Sequence, residues 1–195
     1  MKKQDIRELL QEVIEKLQNI KDELAGDCEA VEVALPEIPD KYDKDHAFDP
    51  DRYEFIDLGL KSGRRWATSP APGHYQYDEA VEVFGNYLPR ASAMVELWES
   101  CKWDWDDTCK GYKVTGPNGN SIFIPANGWQ DYDSDTEKLI PGALCNVGSG
   151  GYWWTFAPSS QANAWYLYFY SGLVNPLYIY YRAYGHGVWP CRELS

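Results

Sequence analysis

Residues 165–185 read WYLYFYSGLVNPLYIYYRAYG and hold seven tyrosines but a single formally charged side chain, Arg182. In WYLYFY, the first six residues, large side chains alternate with period two, which is typical of a half-buried β-strand. If Leu167 and Phe169 point into the domain, the residues between them point to the other face. That face then carries three tyrosines, Tyr166, Tyr168 and Tyr170. A solvated strand face normally carries Lys, Glu or Thr, so burial of the core residues does not explain these tyrosines.

The second half of the stretch, LYIYYRAY, continues the aromatic pattern with weaker alternation after Pro176. Such a segment cannot bury every side chain, so we expect a contiguous exposed aromatic patch, which usually marks a binding surface. Tyrosine suits this role because it offers a large amphipathic contact area and has only two side-chain torsions to order. The alternative is that the patch is buried in an oligomer or against the N-terminal connector.

The rest of the globular part predicts the α+β class. Strands are expected in YEFIDLGL (53–60) and RRWATS (64–69), and a hairpin in GYKVTGPNGNSIFIP (111–125), where Pro117-Asn118-Gly119 supplies the turn. YDEAVEVFGNYL (77–88) and RASAMVELWESCKW (90–103) predict two helices. Short strands around two helices are typical of α+β domains.

Residues 1–26 predict an amphipathic helix with a heptad seam. The seam positions follow a 4-3-4-3-4 spacing: Ile6, Leu10, Val13, Leu17, Ile20 and Leu24. With the leucines at the a positions, this pattern favours three or four strands over two, so a homo-oligomer, preferably a trimer, is expected. Docking of the helix on its own domain remains the alternative, because so few heptads are marginal alone. Residues 27–52 form an acidic, proline-rich connector with one candidate strand in AVEVAL.

Composition excludes several classes of function. The formal net charge of −12 and the lack of a basic stripe argue against nucleic acid as a partner. The N-terminus runs from charge into an amphipathic helix, so we expect no signal peptide and cytoplasmic synthesis. The sequence contains no stretch of about 18 apolar residues, so we do not expect membrane insertion. The five cysteines contain no CxxC pair, so most are expected to be reduced and buried, without a zinc site.

Enzymatic chemistry finds little support in the sequence. The three histidines show neither HExxH nor triad spacing. The stretch DYDSDTEKL (131–139) alternates carboxylates that could bind Ca²⁺, but it lacks the EF-hand glycine and spacing, so we interpret it as a solvated acidic loop. We expect no catalytic residue, no metal ligand and no cofactor.

Four segments resemble the variable proteins of diversity-generating retroelements. They are YEFIDLGLKSGRRWATS, LPRASAMVELWESCKW, GYKVTGPNGNSIFIPANG and the closing SGLVNP…YYRAYGHGVWPCRE. The resemblance spans about residues 53–193. It implies a C-type lectin-like domain over 53–195, related in fold to formylglycine-generating enzymes, with a variable region at about 152–189. The formylglycine chemistry itself is not expected, because Cys145 and Cys191 stand in no matching motif.

In that family a reverse transcriptase miscopies the adenines of a template repeat, so AAC codons become NNC codons. NNC encodes Tyr, Leu and Ile among others, but never Trp. The resemblance therefore implies ten diversified contact positions: Tyr166, Tyr168, Tyr170, Leu173, Leu177, Tyr178, Ile179, Tyr180, Tyr181 and Tyr184. Three further contact residues are expected in the same region: Trp165, which is fixed or derives from another codon, His186, and Trp189, which a mutated Arg codon can yield. The intervening residues resemble the family's constant frame: Leu167, Phe169, Ser171, Gly172, Val174, Pro176, Arg182 and Gly185.

The resemblance implies a non-enzymatic ligand-binding protein whose Tyr-rich face meets an unknown protein or cell-surface ligand. A virion-associated phage protein that binds a bacterial receptor fits the absence of a signal peptide. A structural or adhesin subunit of similar fold, with the aromatic face buried in an assembly, is the alternative.

Overall fold

The structure is a computed structural model that describes residues 48–192. The predicted N-terminal helix and coiled coil (1–26), and the AVEVAL strand, lie outside the described residues. The described part begins at the end of the connector, where Pro50–Arg52 form a 3-10 helix. The carboxylate of Asp49 caps this turn by accepting a hydrogen bond from the Asp51 amide at 3.1 Å.

Two helices and eleven strands follow, which confirms the α+β class. The helices are α1 (Tyr77–Phe84), which continues into a 3-10 turn (Gly85–Tyr87), and α2 (Ala91–Ser100). The strands are β1 (Phe55–Asp57), β2 (Arg65–Ala67), β3 (Lys102–Asp106), β4 (Gly111–Thr115), β5 (Ser121–Pro125), β6 (Trp129–Asp133), β7 (Lys138–Cys145), β8 (Gly150–Pro158), β9 (Asn163–Tyr170), β10 (Leu173–Tyr181) and β11 (Cys191–Arg192).

Local sequence explains where these elements begin and end. At the start of α1, the Glu79 carboxylate accepts a hydrogen bond from the Gln76 amide at 3.3 Å, one half of a capping box. Gly85 ends α1 with a positive φ of 48°. Pro89 lies immediately before the N-cap of α2, Arg90, so its missing amide costs the helix no hydrogen bond. The predicted β4–β5 hairpin is confirmed.

One prediction about this part of the chain is wrong: residues 131–139 are not a loop. They contribute to the antiparallel pair β6–β7, and only 134–137 form the connecting turn. The Asp133 carboxylate accepts hydrogen bonds from the amides of Asp135 (2.8 Å) and Thr136 (3.3 Å). These bonds lower the pKa of the Asp133 carboxyl. The acidic side chains at the turn therefore have a structural role.

The strands form four antiparallel sheets, β1–β2–β11, β3–β4–β5, β6–β7 and β10–β9–β8. The last of these separates two hydrophobic clusters. On one side, Met94 and Leu97 of α2 share a cluster with Leu167 and Phe169 of β9. The other cluster contains Tyr166 of the same strand. Strand β9 is therefore covered on both faces, which holds its side chains in fixed positions.

The cysteines differ in part from the expected reduced state. Cys101 and Cys145 are free thiols, and burial raises the pKa of Cys101 to about 11. Cys109, by contrast, is disulfide-bonded. Between residues 48 and 192, neither helix is long and apolar enough to cross a membrane.

Candidate functional site

Strand pairing in the sheet β8–β9–β10 gathers aromatic residues on one face. Directly opposed residues of antiparallel strands share a face, and here Tyr152 of β8 pairs with Tyr168 of β9. On the other side of β9, Tyr178 of β10 pairs with Tyr166. The period-two alternation predicted for WYLYFY therefore places its tyrosines next to those of the two neighbouring strands.

These side chains surround a concave site of about 450 Å³, which we name the tyrosine pocket. Its lining consists of Trp129, Asn146, Tyr152, Tyr166, Tyr168, Leu173, Asn175, Tyr178 and Tyr180. The volume falls in the range of small-molecule pockets, and it also suits one side chain of a larger partner.

The rings of the pocket meet at well-defined angles. Tyr152 and Tyr166 lie nearly parallel, with an interplanar angle of 9° and centroids 5.9 Å apart. Tyr178 and Tyr180 stand steeply against Tyr166, at 83° and 71°, with centroid distances of 6.0 and 6.1 Å. The site therefore has one aromatic base and two aromatic walls roughly perpendicular to it.

The base is supported from below by a buried histidine. His186 is 0% exposed and stacks on Trp154 at 4.0 Å between ring centroids. Its ring lies 4.6 Å from that of Tyr166. Within residues 48–192, neither ring nitrogen of His186 has a hydrogen-bond partner. Burial, and secondarily the proximity of His74, lowers the pKa of His186 well below its ordinary value, so the ring is neutral.

Three tyrosines of the pocket, Tyr166, Tyr168 and Tyr180, have a raised pKa and are therefore neutral. Burial is the main reason why the pKa of Tyr166 is raised, and Tyr152, Tyr168, Tyr180 and Tyr178 add to the effect. The pKa values of Tyr168 and Tyr180 are raised for the same first reason. At physiological pH these three tyrosines therefore offer phenol O–H donors and aromatic faces, but no phenolate.

The lining also lacks formal charge. None of the nine described residues that line the pocket is charged. Arg182, the one formally charged residue between 139 and 191, forms an ion pair with Asp78 and lies 4.6 Å above the ring of Tyr77. Burial raises the pKa of Tyr180 and Tyr184, and the carboxylate of Asp131 adds to the effect. Asp131 follows Gln130, whose amide donates to the Gly185 carbonyl next to Tyr184.

Further aromatic residues extend the pocket into a rim. Tyr184 contacts Trp129 at 5.0 Å and Tyr180 at 4.8 Å between ring centroids. Tyr181 lies 6.4 Å from Tyr184 and is 57% exposed. The ring of Tyr168 continues the surface towards Tyr170 at 5.9 Å. The tyrosines expected on one surface are thus linked by ring contacts, although Tyr166 itself is only 2% exposed.

Three of the predicted contact residues do not line the pocket because of their strand register. Trp165 pairs with Ile179, and each of the two is the neighbour in sequence of a residue that lines the pocket. Because successive residues of a strand point to opposite faces, both side chains point to the other face of the sheet. Leu177 falls in a bulge between Asn175 and Tyr178 and donates its amide to the Asn175 side chain at 3.2 Å.

His186 and Trp189 are placed in the interior, contrary to the prediction that they contact ligand. His186 pairs with Tyr75 through two backbone hydrogen bonds of 2.9 and 3.1 Å. Gly187 bonds in turn to the backbone of β8, at Tyr152 and Trp154. Trp189 is 1% exposed and donates its indole N–H to the Ala67 carbonyl at 2.8 Å. The segment is therefore a buried connection through the domain.

Four residues of the pocket were not predicted: Trp129, Asn146, Tyr152 and Asn175. Two of them had a usable signal. Tyr152 stands in GYWWTF, a β-rich run before WYLYFY, and Asn175 lies two residues from Leu173 on one strand. Trp129 and Asn146 reach the pocket through pairing of distant segments, such as Gly128 with Gly151, which no local pattern reveals.

Over residues 48–192, no group of three or more His, Cys, Asp or Glu side chains is placed to hold a metal ion. Comparisons with protein-family models, with curated proteins and with solved structures find no match to this chain.

Proposed function

We propose that this protein is a non-enzymatic ligand-binding protein and that the tyrosine pocket with its aromatic rim is the contact site. The observation that carries the proposal is a concave aromatic site with an uncharged lining, built on a sheet whose central strand β9 packs against a hydrophobic cluster on each face. Tyrosine-rich contact surfaces on rigid β-scaffolds bind through a few anchors, while the surrounding contacts exclude water.

The finer proposal is that the domain has a C-type lectin-like fold and that its face is diversified by a retroelement. Two features support it. Eight of the ten positions expected to vary lie in the pocket or its ring-contact rim: Tyr166, Tyr168, Tyr170, Leu173, Tyr178, Tyr180, Tyr181 and Tyr184. Among the expected constant residues, Leu167 and Phe169 are fully buried on the opposite face. Exchange of the exposed members of the first set therefore leaves Leu167 and Phe169 in place, whereas Tyr166 itself is buried.

The biological setting that fits this proposal is a receptor-binding or surface-display protein of a phage, assembled as a homo-oligomer through residues 1–26. Its ligand is a protein or another component of a cell surface. The genomic test is direct: a near-identical repeat downstream of the gene, differing only at adenines, beside a reverse-transcriptase gene. A locus that lacks both would remove the retroelement from the proposal.

The binding role itself is tested with a displayed library. Tyr168, Tyr178, Tyr180 and Tyr184 are randomised with NNC codons, and the library is selected on several unrelated immobilised proteins. We expect folded binders that differ in specificity and unfold cooperatively, with only a modest loss of stability for each exchanged tyrosine. A library randomised at Leu144, Val147 and Phe156, which are exposed but lie outside the pocket, is the matched control.

A structural subunit would behave differently in the same experiment. If the aromatic face were covered in an assembly, exchange of Tyr178 and Tyr181 would change the oligomeric state of the full chain. Light scattering on individual library members measures this directly. Binders with an unchanged oligomeric state support the contact site, whereas loss of assembly without any binders supports the structural subunit.

A further inference from the structure

The ring geometry of the tyrosine pocket restricts the chemistry of its ligand. Aromatic faces carry negative quadrupole potential and attract cations that lie within about 6 Å of the ring centroid. Tyr178 and Tyr180 contact Tyr166 edge to face, with centroids 6.0 and 6.1 Å apart. Together with Trp129, Tyr152 and Tyr168 they line one pocket, so a group seated in the pocket would contact several rings at once. A pocket lined mainly by aromatic rings has the composition of an aromatic cage.

The electrostatic surroundings of the pocket also favour a positively charged ligand. The nine lining residues contribute no cation of their own, and Arg182 is engaged by Asp78 and by the ring of Tyr77. The Asp131 carboxylate lies near Tyr180 and Tyr184 at the rim. The whole chain carries a formal charge of −12, which attracts cations and repels anions at longer range.

Size and hydration narrow the class of cation further. A pocket of about 450 Å³ without a carboxylate in its lining cannot replace the water shell of a compact, strongly hydrated ammonium ion. A quaternary ammonium or a guanidinium group is weakly hydrated and keeps much of its attraction to aromatic faces when it leaves water. The volume also leaves space for the part of the ligand that carries the cationic group.

We propose that the tyrosine pocket binds a weakly hydrated organic cation, a quaternary ammonium or guanidinium group presented by the ligand. This inference rests on the proposed function and specifies its ligand class. The phenol groups and the amides of Asn146 and Asn175 then bind the neutral atoms that flank the cation. A neutral sugar, which also stacks on aromatic rings, is the competing class.

The test uses the full chain and pairs of probes that differ only in charge. Choline is titrated against 3,3-dimethylbutan-1-ol, in which carbon replaces the quaternary nitrogen, and acetyl-arginine amide against acetyl-citrulline amide. Methyl glucoside is the sugar probe. Binding is followed by shifts in ¹H–¹⁵N spectra, with the Trp129 indole N–H as the reporter inside the pocket, assigned from a Trp129→Phe variant. We expect one of the two cations to bind at least tenfold more tightly than its neutral partner.

Variants at the exposed wall separate the ring from its hydroxyl group. Tyr178→Phe keeps the aromatic face and should retain the affinity for the cation within about twofold, whereas Tyr178→Leu should lower it at least fivefold. Phe156→Leu removes an exposed ring outside the pocket and should change nothing. Asp131→Asn should weaken the binding of the cationic probe but not the binding of its neutral partner.

Each remaining outcome is decisive. If a neutral probe or the glucoside shifts the same resonances with equal or greater affinity, the proposal of a cationic ligand is refuted, whereas the proposed binding role stands. If no probe binds but the displayed library yields binders, the ligand class is likewise refuted and the proposed function survives. Failure of both the probes and the library refutes both.

Discussion

The two faces of strand β9 should respond very differently to truncation of an aromatic residue. Phe169 is 0% exposed and lies beside Tyr112, at 5.2 Å between ring centroids, with Trp103 and Trp105 at 6.4 and 6.5 Å. Its ring also covers Gly151 so closely that a Cβ there would overlap it. Replacement of Phe169 by Ala therefore removes a complete ring from the centre of the core.

The surroundings of Phe169 are poorly able to fill the space that this change creates. The hydroxyl of Tyr112 donates to the Tyr170 carbonyl at 3.1 Å and accepts from the Gly172 amide at 3.0 Å, so this neighbour is held at its far end. Truncation of a buried Phe costs about 3–5 kcal/mol, with the larger values where the site cannot collapse. We expect Phe169→Ala to lower the free energy of unfolding by about 4–5 kcal/mol.

Truncation of Tyr178, on the pocket face, is compared with truncation of Phe169. Tyr178 is 50% exposed, so about half of a Tyr side chain's surface of roughly 200 Å² is buried. At about 25 cal/mol per Å², and with an unfolded chain that already buries part of this area, Tyr178→Ala should cost about 1–2 kcal/mol. The two substitutions should therefore differ by about 3 kcal/mol, although both remove one aromatic ring.

Urea denaturation of both variants and the parent, followed by tryptophan fluorescence, measures this difference. Phe169→Leu is the milder variant, and it remains informative if Phe169→Ala does not fold. Equal losses for Phe169→Ala and Tyr178→Ala at an unchanged denaturant slope would show that the pocket face is as important for the fold as the core. The separation between a constant scaffold and an exchangeable surface would then be refuted.

Two further predictions concern other parts of the molecule. The buried His186 is neutral in the folded protein, whereas the same residue in the unfolded chain takes up a proton below about pH 6.5. The unfolded state therefore binds more protons at low pH. The contribution of His186 to stability is complete above pH 6.5, and the free energy of unfolding falls by up to about 1.4 kcal/mol per pH unit below it. Burial also lowers the pKa of His74, which therefore acts in the same direction. We expect His186→Phe to reduce the dependence of the unfolding free energy on pH between pH 7 and 5 without abolishing it. Identical pH dependence for the parent and the variant would mean that the native His186 ring is protonated or reached by water. Deletion of residues 1–26 should reduce the oligomer measured by light scattering, and a full chain that is already monomeric would leave the heptad seam as a helix docked on its own domain.

Local patterns in the sequence predict the elements of this fold better than their arrangement. The β4–β5 hairpin follows from two β-rich runs around Pro117-Asn118-Gly119, and the burial of Leu167 and Phe169 follows from period two. The burial of Gly185–Pro190 does not follow from any such pattern, because it depends on backbone pairing with residues as distant as Tyr75. Its Gly, His and Trp residues are equally compatible with an exposed loop.

The candidate site shows the same division. The tyrosines of β9 and β10 are recognisable because one strand face carries ring after ring. Trp129 enters the pocket from β6, a strand that no pattern in the sequence predicts and whose second half, from Asp131, is predicted as an acidic loop. Trp165 and Ile179 were assigned to the site by residue type, but the register of the two strands decides their side. Register depends on pairing and bulges, and so it is a property of the folded sheet.

The bulge in β10 also decides how variation at this surface would look in an alignment of related chains. On β9 the pocket side falls on even-numbered positions, such as 166 and 168; β10 first presents the odd positions 173 and 175, and beyond the bulge the even positions 178 and 180. Parity therefore changes twice within one surface. A search for variability at every second column would lose the pattern at the turn between β9 and β10 and again at Pro176. The same columns ordered by strand partner would form one continuous block.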